Sequence, residues 1–212
     1  MYLTRLTLDR QNSLKMKHAA HAAAIHSHIE NSFPEEKNRG ERTRKLWRID
    51  PIDGVHYLLI VSDSIPDPRA LESLAEAGSV ETKDYEPFLD RLQDGTRARF
   101  RVKLNPVMAS REGKKTGERG RIVPVADDDQ LDYFLTRAEA NGFSVEADQC
   151  AVVERGTELF RKAGQRDLHL KKAVYEGLLT VTDAPRFRRL LTEGMGKKKA
   201  YGFGLMTVIP LP

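Results

Sequence analysis

The sequence is poor in the features that mark several common protein classes. Its 212 residues include one cysteine, Cys150, which excludes an internal disulfide and a cysteine-based zinc site. No run of about 18 apolar residues occurs, so no contact with a membrane is expected. The first ten residues alternate and carry charge, which is typical of a strand and not of a signal peptide. The sequence therefore predicts a reducing, cytoplasmic location.

Positive charge is concentrated in one central segment. Residues 97–121 hold nine Lys or Arg against two Glu, whereas the rest of the chain holds 26 basic and 29 acidic residues. A solvated strand and loop would explain such a segment simply. Binding of a polyanion is the favoured interpretation, because further basic clusters fall in predicted loops that could converge on it.

The order of strand and helix patterns occurs twice. The first copy is a strand, a helix over residues 12–31, a charged loop at residues 35–44, two strands, a short helix and a strand. Residues 96–210 repeat this order with additional hairpin material. The pattern predicts an α+β protein of two tandem ferredoxin-like (β-α-β-β-α-β) domains, residues 1–90 and 91–212.

Two clusters of basic residues could bind phosphate. A predicted strand over residues 96–104 places four cations on one face, where a solvated face would mix charges: Arg97, Arg99, Arg101 and Lys103. The loop after it adds Arg111, Lys114 and Lys115.

Four histidines, His18, His21, His26 and His28, fall in the first predicted helix. No two have the i, i+4 spacing of a helical zinc site, so no metal is expected. Helical geometry sets His26 apart from the other three. From the residues alone, surface or half-buried histidines remain the simpler interpretation for each.

Glycines and lysines alternate in GMGKKKAYGFGL, residues 194–205. Glycine lets backbone N–H groups approach a phosphate closely, and the lysines add charge. The spacing is not that of a Walker A loop. The candidate residues are Gly194, Gly196, Gly202, Gly204, Lys197, Lys198 and Lys199.

This glycine-rich sequence resembles the signature of the repeat-processing CRISPR endoribonucleases. FRVKLNP at residues 100–106 is similar to an internal motif of their type I-E branch, the CasE family. The opening MYLTRL, the helix end carrying His26, Ile29, Phe33 and Pro34, and VYEGLLTVTDA at residues 174–184 are also similar to that branch.

The resemblance implies cleavage of CRISPR precursor RNA at the 3′ base of a repeat hairpin. The neighbouring 2′-OH attacks the phosphate, without metal or cofactor, and leaves a cyclic phosphate. The protein then stays on the mature guide RNA with other Cascade subunits. The family's catalytic histidine lies seven residues before the Phe of Phe-Pro, which is the position of His26. The loop that contacts the hairpin corresponds to Arg161, Lys162 and Arg166.

One position departs from the family pattern. Some members carry a tyrosine three residues before the histidine, where this chain has Ala23. Tyr201, Lys162 or a neighbouring histidine could replace that phenol, and His26 could act as base or as acid. Ala23 also favours an alternative, a hairpin-binding subunit that does not cleave. A two-domain scaffold without an RNA role is the third possibility.

Overall fold

The computed structural model describes residues 1–110, 120–160 and 167–212. In the first half, four antiparallel strands form a sheet in the order β2-β3-β1-β4, with β1 at Tyr2–Thr7, β2 at Leu46–Ile52, β3 at Val55–Ser62 and β4 at Glu81–Asp84. The helices of this half are α1 (Ser13–His18), α2 (Ala22–Asn31), α3 (Pro34–Arg39) and α4 (Pro68–Leu71). This is the strand order of the ferredoxin-like fold.

The second half repeats the arrangement. After α5 (Glu86–Asp90) its elements are β5 (Arg97–Leu104), β6 (Val107–Ser110), β7 (Arg121–Pro124), α6 (Gln130–Leu135), β8 (Phe143–Ser144), β9 (Cys150–Phe160), β10 (Leu168–Val181), α7 (Ala184–Glu193) and β11 (Met206–Pro210). Its sheet has the order β11-β5-β10, and both β8 and β9 pair with the outer edge of β10. Strands β6 and β7 form a separate hairpin. The predicted α+β class and the tandem ferredoxin-like domains are confirmed, whereas the boundary between residues 90 and 91 stays a prediction.

The prediction of one continuous helix over residues 12–31 is wrong. His21 has an extended backbone (φ −157°, ψ 160°), and its Nδ1 accepts the N–H of Ala24 at 3.1 Å, so a new helix begins there. The predicted loop at residues 35–44 is also corrected. Its first part forms α3, which starts with Pro34 in its first turn and ends at Gly40 with a φ of 68°.

The two halves meet along β2. Trp47 points to the helices of the first half, where it packs in a core with Ile25 and Ile29. Leu46 points the other way and belongs to the core of the second half. Both side chains are almost fully buried, so β2 is covered on its two faces although it is an edge strand of its sheet.

Arg48 fixes this contact. Its side chain is 1% exposed and binds both carboxylate oxygens of Asp50, at 2.7 and 2.6 Å. It also donates to the carbonyl oxygens of Arg101 and Leu205 and to the hydroxyl of Thr207, at 2.7, 2.6 and 2.7 Å. All five guanidinium N–H groups are thereby used, three of them on the second half.

No helix formed by the described residues is long and apolar enough to cross a membrane.

Replacing Arg48 by methionine should lower the free energy of unfolding by about 3–5 kcal/mol, because it leaves Asp50 charged and buried with Arg101 as its one ion-pair partner among the described residues. Urea denaturation measures the effect. Arg5→Met is the control, since Arg5 pairs with Glu81 where both side chains are 55% exposed, and about 1 kcal/mol or less is expected. Equal losses for the two variants would contradict the role given to Arg48.

Candidate active-site cleft

A cleft of about 900 Å³ opens between α2 and the glycine-rich loop. Helix α2 contributes His26 and Glu30, and the segment before β2 contributes Arg42 and Lys45. The 3-10 turn Lys199–Tyr201 forms the opposite wall. The cleft therefore combines three segments that are far apart in the sequence.

His26 is held between a cation and a carboxylate. Its Nε2 lies 3.1 Å from the guanidinium of Arg42, and its Nδ1 lies 3.8 Å from Glu30 Oε1. Because arginine can only donate, Nε2 must be the acceptor, which places the single imidazole proton on Nδ1. This geometry fits a neutral histidine whose Nε2 lone pair accepts from Arg42 at the wall of the cleft.

The surroundings of His26 favour this neutral form. Burial is the largest influence and lowers the pKa of His26 below its ordinary value. The nearby Glu30 raises the pKa, whereas Arg42 and Lys45 lower it further. The lowered pKa thus favours the uncharged imidazole, the form that a general base requires.

Lys45 and Glu36 form a buried ion pair below His26. The Lys45 side chain is 1% exposed; its ammonium contacts Glu36 and also donates to the Thr43 carbonyl at 3.2 Å. Burial works against the charge of Glu36, but hydrogen bonds from Lys45, Ser64 and Thr43 outweigh it and lower the pKa of Glu36 to about 2. Glu36 therefore stays ionised and holds Lys45 in place.

Aromatic side chains form one wall of the cleft. The ring of Tyr201 lies edge-on to His26, with 6.4 Å between the ring centroids. Phe160 packs against the other side of Tyr201 at 4.2 Å, and the Lys198 ammonium lies 5.7 Å from the Tyr201 ring. Among the residues that could replace the missing phenol, Tyr201 is the one that the structure brings next to His26.

Lys199 enters the same cleft. Its ammonium donates to the carbonyl of Glu193 at 2.6 Å. Burial lowers the pKa of Lys199, as does the nearby Arg44, while Glu193 opposes them. The hydrogen bond to Glu193 places the Lys199 side chain on the wall opposite His26.

The glycines of the loop allow close packing on β2. A Cβ on Gly202 would lie 2.8 Å from the Trp47 ring, and one on Gly194 would lie 2.7 Å from Leu46. The N–H groups of Gly194, Gly202 and Gly204 donate to carbonyl groups of the protein itself. At these three positions the structure thus favours a packing role over direct contact of the amides with a phosphate; Gly196 has more open surroundings.

Of the predicted site residues, His26 and Lys199 meet in the cleft, whereas Lys197 and Lys198 are exposed beside it. The predicted cationic strand, now β5, lies on the sheet of the second half. There Arg99 and Arg101 line a separate groove of about 630 Å³. Arg111, Lys114, Lys115, Arg161, Lys162 and Arg166 lie outside the described residues.

Two of the four cations predicted on β5 already pair with carboxylates in the protein, and RNA binding by the four stays a prediction. Arg97 and Arg99 are exposed and form no ion pair with any described residue. Arg101 contacts Asp50 and Glu176, and Lys103 is buried with Glu158 at 2.9 Å. The reason is that the first half of the chain covers this end of β5.

Sequence reasoning missed several residues of the cleft, among them Arg42, Glu30 and Phe160. Arg42 carries no local signal, because it lies in a segment predicted to be a loop. Glu30 has one usable signal, its i, i+4 spacing from His26 on a helix. Phe160 falls outside every predicted element, and its contact with Tyr201 depends on the tertiary fold.

Known proteins resemble the chain over its whole length. Residues 1–210 match the family model described as CRISPR associated protein. The CRISPR-associated endoribonuclease Cse3 of Thermus thermophilus is 26% identical, with 99% of this chain and 100% of the relative covered. The CRISPR system Cascade subunit CasE of Escherichia coli (strain K12) is 28% identical, with 100% of both chains covered.

Solved structures share the fold. The CRISPR endoribonuclease Cse3 bound to a 19-nucleotide RNA gives a TM-score of 0.80 at 25% identity, covering 99% of this chain and 100% of that chain. The CRISPR-associated protein Cas6e of Escherichia coli strain K-12 gives a TM-score of 0.59 at 20% identity, covering 100% of both. The second match bears on the fold alone.

Gly202→Ala should lower the free energy of unfolding by about 1–3 kcal/mol more than Gly78→Ala, because only the first places a methyl group against other atoms. The two glycines have similar φ values, 79° and 72°, so the left-handed backbone cost is shared. Thermal and urea denaturation measure the difference. Indistinguishable losses would show that the loop does not depend on its contact with Trp47.

Proposed function

The chain belongs to the CRISPR associated protein family, in agreement with its resemblance to the type I-E branch, and we propose that it cleaves the repeat hairpins of CRISPR precursor RNA. One observation carries the proposal: His26 lines a cleft together with Arg42 and Lys199. The names of the two relatives, an endoribonuclease and a Cascade subunit, support it.

His26 acts as the general base in this proposal. Its Nε2 lone pair takes the proton of the 2′-OH beside the scissile phosphate. The 2′-oxygen bonds to phosphorus, the bond from phosphorus to the 5′-oxygen breaks, and the leaving oxygen takes a proton from water to become a 5′-OH. His26 returns the proton that it accepted to the solvent. Arg42 and Lys199 stabilise the negative charge that builds on the phosphate oxygens. The products are a cyclic phosphate and a 5′-OH, and no metal or cofactor takes part.

Tyr201 takes the place of the phenol that some family members carry three residues before the histidine. Ala23 and Tyr201 line the same cleft, so the short side chain of Ala23 leaves space that the Tyr201 ring borders. The position beside His26 supports a role in holding the nucleotide at the scissile phosphate.

The remaining basic residues bind parts of the RNA that lie at a distance from the scissile phosphate. Arg97 and Arg99 offer two cations on β5 that no described residue neutralises, and Lys197 and Lys198 extend the cleft wall. After cleavage the protein stays on the mature guide RNA together with other Cascade subunits, in the cytoplasm. A hairpin-binding subunit that does not cleave is the second candidate, favoured by Ala23, and the experiment on His26 separates the two.

His26→Ala should reduce the cleavage rate of the cognate repeat hairpin by about 10²–10⁴-fold, because it removes the general base. Hairpin affinity should stay within about twofold, since the cationic side chains remain. Addition of EDTA should leave wild-type cleavage unchanged. Single-turnover cleavage and gel-shift titration measure the two quantities.

His28→Ala is the matched control, because His28 lies on the same helix but contacts Ser73 outside the cleft. Wild-type protein that shifts the hairpin without cutting it would support the non-catalytic candidate. Unchanged cleavage by the His26→Ala protein would overturn the assignment of the site.

The double substitution Arg97→Ala with Arg99→Ala should reduce the slope of log affinity against log salt by about 1–2, since each phosphate contact contributes about 0.7–0.9. Titrations of the hairpin at several salt concentrations measure the slope. Arg5→Ala with Arg39→Ala is the control, because it removes the same charge from two exposed ion pairs elsewhere. Equal slopes for the two double variants would exclude β5 from the RNA-binding surface.

A further inference from the structure

One polar atom in the cleft lacks the partner that its position requires. His26 Nδ1, which carries the proton in the neutral form described above, is buried and has no hydrogen-bond partner among the described residues. Glu30 Oε1 lies 3.8 Å away, beyond hydrogen-bonding distance but on the same face of α2. A buried N–H without an acceptor is costly, so a small movement that brings Glu30 Oε1 within hydrogen-bonding distance of His26 Nδ1 would be favourable.

In the free protein, Arg42 donates hydrogen bonds to both Glu30 and His26. Its Nε donates to Glu30 Oε2 at 3.2 Å while a terminal nitrogen donates to His26 Nε2 at 3.1 Å. The Arg42 side chain is nevertheless 69% exposed, so moving it disturbs little packing. Arg42 therefore covers the Nε2 lone pair that the proposed reaction needs.

Lys45, unlike Arg42, is not free to move its side chain to another partner. Its side chain is 1% exposed and is held by Glu36 and by the carbonyl of Thr43, and it approaches Glu30 only to 3.9 Å. The other charged or titratable groups that line the cleft are Arg44, Lys199 and Tyr201. Glu30 is the one carboxylate paired with His26 among the described residues.

We propose that Glu30 is the positioning residue for His26, and that Arg42 moves from His26 to the scissile phosphate when RNA binds. This inference rests on the proposed role of His26 as general base. The phosphate oxygens replace the imidazole nitrogen as acceptors for the guanidinium, and a phosphate suits its paired donors. Release of Arg42 uncovers Nε2 at the moment when the 2′-OH is in place.

The same movement frees Glu30 for Nδ1. Once Nε2 has accepted the 2′-OH proton, both ring nitrogens carry hydrogen and the imidazolium is positively charged. Glu30 then accepts the Nδ1–H, as the carboxylate of a hydrolase triad does, fixing the ring and stabilising its charge. Glu30 touches neither the RNA nor the reacting atoms and acts through His26 alone.

Glu30→Gln tests the positioning role with two measurements. The pKa of His26, followed by NMR titration of its ring proton and assigned by comparison with His26→Ala, should fall below the wild-type value because a neighbouring negative charge is lost. Single-turnover cleavage should fall by about tenfold to a hundredfold, part of the ~10²–10⁴ that a general base contributes. Affinity for a hairpin with a 2′-deoxy group at the cut should stay within about twofold.

Arg42→Gln should shift the pKa of His26 in the direction opposite to Glu30→Gln. Removal of this cation should raise the pKa of His26 in the free protein, because Arg42 lowers it. Cleavage should nevertheless fall, and affinity for the 2′-deoxy hairpin should weaken, because the phosphate loses its guanidinium. A purely structural role of Arg42 and Glu30 would not shift the pKa of His26 in opposite directions while lowering the rate in both variants.

Glu35→Gln is the matched control, since Glu35 is 82% exposed in an ion pair with Arg39 and lies outside the cleft. Glu30→Asp keeps the charge with a shorter reach, so its His26 pKa should lie nearer to wild type than that of Glu30→Gln. If the Glu30→Gln protein does not fold, the pKa of His26 and the cleavage rate are compared between Glu30→Asp and wild type instead.

The outcomes separate this inference from the proposed function. Cleavage that survives His26→Ala would overturn both. Loss of cleavage in His26→Ala, with wild-type pKa and rate in Glu30→Gln and Glu30→Asp, would overturn only the positioning role. An unchanged affinity for the 2′-deoxy hairpin in Arg42→Gln would overturn only the transfer of Arg42 to the phosphate.

Discussion

The buried guanidinium of Arg48 is the contact on which the rest of the molecule depends. It ties β2 to β5 and β11 by satisfying acceptors from both halves of the chain. With β2 fixed, Trp47 presents its ring to the glycine-rich loop, and its indole N–H donates to the Ala200 carbonyl at 3.1 Å. The loop then places Lys199 and Tyr201 opposite His26, so the geometry of the cleft follows from a contact outside it.

Two ion pairs flank His26 before any ligand arrives. Glu36 neutralises Lys45, and Glu30 neutralises Arg42, which leaves His26 uncharged between them. A polyanion that enters can draw Arg42 away from its pair with Glu30, because Arg42 is exposed, whereas Lys45 is buried and stays with Glu36. The difference in burial thus makes Lys45 a fixed structural charge and Arg42 a movable one.

The element order and the fold class could be predicted from the sequence, because alternation and helix-stop signals are local. The break at His21 could not, since it depends on a side chain that caps its own helix. The strand pattern identifies the face on which Lys103 lies, but not that the other half of the chain covers it. The spacing from Phe33 selects His26, whereas Arg42 and Glu30 join it only through tertiary contacts.

The cleft unites residues 26, 42 and 201, and this sequence separation has a consequence for biosynthesis. Pairings between distant segments form late, because the loop-closure entropy must be overcome first. Until residues 194–207 have left the ribosome, β2 lacks the contacts of Trp47 with Ala200 and of Arg48 with Leu205, and an exposed edge strand is prone to associate with other chains. Docking of the glycine-rich loop therefore both completes the cleft and adds cover to β2.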